Sequence, residues 1–198
     1  MSNESISLER PQAGPLLAGF LSIALAGLCA AAYWSGGGSL DAVRFIDHLT
    51  IRIAAVFFSL TFAASALRAL FPSQITRWLF SNRRNITISF VVAFVLHLCA
   101  IARFYTLDES LFWSVSPVFL IVLRGIGVAF ILLMLIEALN DGGIGRWRFL
   151  SAFGSYYVWA AFFAGFAKRI ALDPFYFVAA VLLVLVVIVR LAGAMRRI

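Results

Sequence analysis

The chain has 198 residues, 63% hydrophobic and only 13% charged, with a mean hydropathy of +1.00, against roughly 45 to 50% apolar and about 25% charged in a soluble domain. A spanning helix takes about 20 apolar residues, so six would use about 120 positions and leave no room for a soluble catalytic domain. The net charge of +7, from 15 Arg and one Lys against nine acids, would suggest nucleic acid in a soluble chain; here it reads as membrane topology, and no nucleic-acid partner is expected.

In chain order, residues 1–15, with Glu4 and Glu9 against Arg10, read as a tail. The apolar run 16–34 is too long and too acidic at its front for a cleaved signal, so it reads as a retained first helix. Ser22, Ala26 and Ala30 on one line, with Gly27 and Ala31 beside it, are its expected packing face. The Gly36, Gly37, Gly38, Ser39 tract ends it. Five further spans are predicted at about 49–71, 86–105, 117–139, 149–167 and 175–192. The membrane domain is thus 16–192, followed by a basic tail, 193–198. The longest connection, 72–85, sets Ile75, Trp78, Leu79 and Phe80 among arginines, as an interfacial segment should. Ser116 and Pro117 read as an N-cap with proline at the first helical position, and Asn140, Asp141, Gly142, Gly143 as the stop. Cys29 and Cys99 both lie in apolar runs and suit neither a disulfide framework nor a metal repeat.

Six spans put both termini on one side. That side collects Arg10, Arg68, Arg77, Arg83, Arg84, Arg146, Arg148, Arg190, Arg196 and Arg197; the other collects Arg44, Arg52, Arg103, Lys168 and Arg169. Both termini are therefore expected in the cytoplasm.

Ionisable groups within spans are the informative residues, because hydrocarbon makes them expensive. At 1.5 Å per residue, His97 lies about 16 Å in from one side of the third span, and Arg124 about 10 Å from the other side of the fourth, which brings them within a turn of one level. An imidazole beside a guanidinium suits an anionic cofactor or lipid, with His97 as a metal ligand and Arg124 on a carboxylate. The alternatives are a hydrogen bond from His97 to a neighbouring helix and an Arg124 that snorkels outward toward Asp108 or Glu109. His48, Arg52, Ala55 and Ser59 share a face at helical spacing, the first two reading as anchors near the outer surface. Glu137, near the inner end of the fourth span, has Arg146, Arg148, Arg83 and Arg84 as expected partners. No acid is expected deep in the membrane. Phosphate loops, zinc-protease motifs, paired-cysteine motifs and serine-hydrolase elbows are all missing from the sequence.

Residues 48–68 read HLTIRIAAVFFSLTFAASALR, and 83–97 read RRNITISFVVAFVLH. These stretches resemble the ferric reductase-like transmembrane domain superfamily, and within it the small haem-binding membrane subunit of the bacterial periplasmic methionine sulfoxide reductase system. Thr50, Ala54, Thr61 and Ser65 match that branch's second helix, with Ile51 in place of its glycine. Arg83, Arg84, Ile86 and His97 match its third, with Thr87 in place of another. Gly143, Ile144, Gly145, Arg146 and Trp147 are similar to the opening of its fifth helix, and the last helix, ending at Arg190, is also similar.

The resemblance implies an all-α integral membrane protein, a six-helix bundle of the bacterial inner membrane. It further implies His97 as a haem iron ligand. The branch's two fifth-helix histidines fall here on Ser151 and about Ala164, and the chain has no histidine after His97. A b-type haem held between those two helices is thus not expected from this chain alone. The expected function is an accessory or scaffold subunit with a protein or redox partner and anionic lipids around it. The alternatives are an electron-transfer subunit that keeps one haem b on His97, its propionates on Arg124 or Arg103, and a small transporter.

Overall fold

The computed structural model describes residues 13–140 and 145–196, with side chains over 15–140 and 149–196. Among these residues every regular element is helical: α1 (Ala13–Ser35), α2 (Leu40–Leu70), α3 (Gln74–Ser81), α4 (Arg83–Leu107), α5 (Glu109–Val115), α6 (Val118–Leu139), α7 (Gly145–Ala167) and α8 (Pro174–Met195). All but the short α3 and α5 are long and apolar enough to cross a bilayer, which gives the six expected spans of a multi-pass membrane protein. The Asp141, Gly142, Gly143 part of the predicted stop and the outer tail residues lie outside the described residues.

The main departure is the start of α2. It begins at residue 40, not near 49, because Ser39 caps it: the Ser39 hydroxyl accepts the Ala42 N–H at 3.3 Å, and Asp41 in the first turn faces the positive end of the helix dipole. With 31 residues, α2 is about 46 Å long, half as long again as a bilayer core of about 30 Å. The turn before it needs two glycines, since Gly37 and Gly38 both have positive φ, at 60° and 66°. The connection after α2 folds as α3, whose Ser73 and Thr76 form a reciprocal capping box. Ile75 and Trp78 stay exposed there while Leu79 turns inward.

Five spans form a closed ring. α2 packs along α4, α4 against α6, α6 against α7, α7 against α8, and α8 back onto α2; α1 lies outside, against α4 and α2. At the closing seam Gly193 is needed for proximity: a Cβ there would sit 2.7 Å from the Ala66 Cβ. The ring is filled by phenylalanine. Phe58, fully buried, meets Phe62, Phe90 and Phe162 at centroid distances of 5.3, 5.6 and 5.5 Å. Directed bonds to backbone carbonyls stitch the helices where lipid offers no competing water: the Tyr157 hydroxyl donates to the Leu123 carbonyl at 2.8 Å, and the Trp159 indole to that of Leu183 at 2.9 Å.

The start of α1 and the end of α8 lie at the same end of the bundle, called the near end below. Leu17 and Leu21 share a crevice with Trp78 and Asn85, and Arg196 donates to the Ala69 carbonyl at the end of α2.

Two local expectations are corrected. The packing face of α1 is Ala18, Leu25 and Cys29, spaced seven and four residues apart on one side of the helix, while Ala26, Ala30, Gly27 and Ala31 face outward. Ser116 does not cap α6. It ends α5, Pro117 is the N-cap of α6, and the Ser116 hydroxyl serves Arg124 instead.

Candidate functional site

Polar side chains gather at both ends of the ring, with the phenylalanine layer between them. At the far end, ten residues before the end of α4, His97 Nδ1 lies 2.9 Å from Asp47 Oδ1 of α2. Both groups are largely buried, and the two atoms meet without a directed hydrogen bond. Asp47 belongs to α2 itself. The early start of α2 puts it there, seven residues in, instead of in a loop.

Arg124 and Arg103 do not join His97. The Arg124 guanidinium runs outward to the Ser116 hydroxyl at 3.0 Å, the snorkelling geometry with a different partner from the acids expected, while staying within electrostatic reach of Asp47. Arg103 is exposed and bonds Thr106 on its own helix at 3.1 Å. His48 is exposed on another face of α2. Phe94 is the aromatic neighbour of His97, at 5.8 Å.

These residues do not fit a haem held by this chain. A carboxylate on Nδ1 does orient an imidazole to offer its other nitrogen to a metal. The chain's other histidine, however, is exposed on another face of α2 and offers no second axial ligand. The cavity of about 510 Å³ at the other end of the ring is lined by none of His97, Arg124 and Arg103.

Arg52 is fixed more firmly than an anchor. It donates to Asp173 at 2.6 Å, at the first turn of α8, and its guanidinium lies over the rings of Phe175 and Tyr176 at 4.3 and 5.0 Å. The Phe175 N–H and then Arg52 hold the Asp173 carboxyl below the usual aspartate range. A depressed carboxylate pKa contributes stability that is complete above the unfolded value, about 3.9, and is lost as pH falls through the lower folded one. Thermal stability of the detergent-purified protein is therefore expected to hold from pH 7 to about pH 5 and to fall below about pH 4. Asp173→Asn should be less stable at pH 7 and lose part of that acid dependence, which a melting series against pH will read.

The near end carries the cavity, about 510 Å³, between α2, α4, α6, α7 and α8. Its inner wall is Arg190 of α8, which donates to the Phe62 carbonyl at 2.8 Å and the Ser155 hydroxyl at 3.2 Å and stacks over the Phe62 ring at 4.0 Å. Arg83 and Arg84 stand at the start of α4. Glu137 lines the opposite wall and accepts a short hydrogen bond from the Ser151 hydroxyl. It shares the cavity with two of its expected partners, Arg83 and Arg84, whereas the side chains of Arg146 and Arg148 lie outside the described residues. Thr61 completes the wall, its buried hydroxyl without a hydrogen-bond partner.

Sequence reasoning missed this site. Arg190 counts as a topological charge at a helix end, and Thr61 as a match to a motif. The available signal was the Ser151 and Ser155 pair one turn apart on α7. Compared with protein-family models, characterised proteins and solved structures, the chain matches none.

Proposed function

We propose that the protein is an accessory or scaffold subunit of a complex in the bacterial inner membrane, a ferric reductase-like bundle with both termini cytoplasmic that has lost the histidine pair for haem. The observation that carries this reading is the environment of His97. Its inward partner is Asp47, no second histidine faces it, and the ring beside it is filled with phenylalanine. A bundle so closely packed and so poor in reactive groups supports a role in holding a protein partner through its outer surface. Transport has less support, since Phe58, Phe62, Phe90 and Phe162 fill the level between the two polar ends.

The test is an optical spectrum, oxidised and dithionite-reduced, of full-length protein expressed with ample haem, beside His97→Ala. A featureless spectrum from both, with a stoichiometric protein partner recovered in mild detergent, is the expected result. A reduced b-type band that disappears in His97→Ala would overturn the scaffold reading and establish electron transfer through a haem completed by a partner. Loss of the partner with Arg83→Gln and Arg84→Gln would place the docking surface at the near end.

A further inference from the structure

The near-end cavity brings arginines from two helices onto one lining. Among the described residues, Arg83 of α4 and Arg190 of α8 face it together with one acid, Glu137, which accepts a hydrogen bond from Ser151. Arg190 is the telling member. It is recessed five residues before the end of α8, and its bonded acceptors, the Phe62 carbonyl and the Ser155 hydroxyl, are neutral. No carboxylate among the described residues is within ion-pair distance of it. A recessed guanidinium whose nearest acid, Glu137, stays beyond ion-pair distance is costly within a span. Those two acceptors fix its plane, so its position does not depend on a ligand.

Thr61 is the independent second observation. It sits on the same wall, nine residues before the end of α2, and is nine-tenths buried with its hydroxyl unpaired. An unpaired buried hydroxyl lining a polar cavity marks a missing acceptor or donor. Thr87, also buried there, donates back to the Arg83 carbonyl at 2.9 Å and holds the first turn of α4 at the cavity mouth. The volume falls in the range of small-ligand sites, about 300 to 1,000 Å³, and a basic pocket between spanning helices suits a lipid headgroup.

We propose that this cavity binds a phosphate-type anion, a phosphodiester or phosphomonoester, held by Arg190 and the Thr61 hydroxyl on the inner wall and by Arg83 at the mouth. Tetrahedral phosphate oxygens take a guanidinium fork and a hydroxyl at once. The group has two available sources, an anionic phospholipid headgroup or a soluble phosphate compound. The inference stands apart from the scaffold reading and survives if that reading fails.

The test uses the full-length protein in an uncharged detergent. Retention of phosphatidylglycerol against phosphatidylcholine is measured by native mass spectrometry, and the melting temperature is followed with each lipid and with inorganic phosphate. We expect phosphatidylglycerol or phosphate to be retained and to raise the melting temperature while phosphatidylcholine does neither. Arg190→Gln should weaken that binding about tenfold and Thr61→Val roughly threefold. Preference for phosphatidylglycerol that phosphate does not compete away identifies a headgroup; displacement by millimolar phosphate identifies a soluble ligand. Either supports the site. Equal retention of both lipids without a phosphate effect overturns it. Should Arg190→Gln fail to fold, Thr61→Val and Arg83→Gln decide, and unchanged binding in both overturns the proposal.

Discussion

Phe58→Ala is expected to destabilise the bundle by about 3 to 5 kcal/mol, the usual cost of emptying a closed aromatic site. In lipid the loss is not one of hydrophobic transfer, since the tails are as apolar as the ring. It is the loss of dispersion contact with three neighbouring phenylalanines that sit on three different helices or turns. The control is Phe149→Ala, since Phe149 is 81% exposed and should change stability by less than about 0.5 kcal/mol. Unfolding in mixed micelles of dodecylsulfate and a mild detergent reads both. Similar small losses for the two variants would mean that the ring is not closely filled at Phe58.

The second large effect concerns the far-end pair. Asp47→Leu should cost about 1 to 3 kcal/mol by removing the polar group that the largely buried His97 Nδ1 meets at 2.9 Å. Asp47→Leu combined with His97→Leu is expected to recover most of that loss, because replacing both members of a buried polar pair removes the unpaired group as well as the contact. A double-mutant cycle isolates the coupling. Additive single losses would show that the two side chains sit close without sharing an interaction. The same cycle bears on function, for a His97 whose role ends with Asp47 has no need of iron.

The six spans were readable because hydropathy averaged over a window survives errors in single residues, and because glycine or proline punctuates most of the connections. The start of α2 was not. Asp41, Arg44, Asp47 and His48 lower the average over nine residues that are nonetheless helical, and only Ser39 followed by Asp41 gave the local sign. A span starting near 49 leaves Asp47 in a loop and hides the partner of His97. Arg124 was readable in kind, as a snorkelling side chain, but not in partner, since Ser116 had been assigned a capping role that Pro117 fills. The near-end cavity depends on pairs such as Arg190 with Phe62, 128 residues apart, and Glu137 with Ser151, 14 residues apart on different helices. No periodicity encodes such meetings, because they follow from which helices the ring sets side by side.

The seam between α2 and α8 also sets an order of manufacture. α2 is made well before α8, so the Ala66 face and the Phe62 carbonyl must wait while α4, α6 and α7 are synthesised. At a translation speed of about 5 to 20 residues per second, the 128 residues from Phe62 to Arg190 take roughly 6 to 26 seconds. Throughout that interval the nascent chain is an open sheet of helices with one unmated edge. A ribosome that stops short of Arg190 leaves that edge bare, which makes the synthesis of α8 the checkpoint for closing the ring.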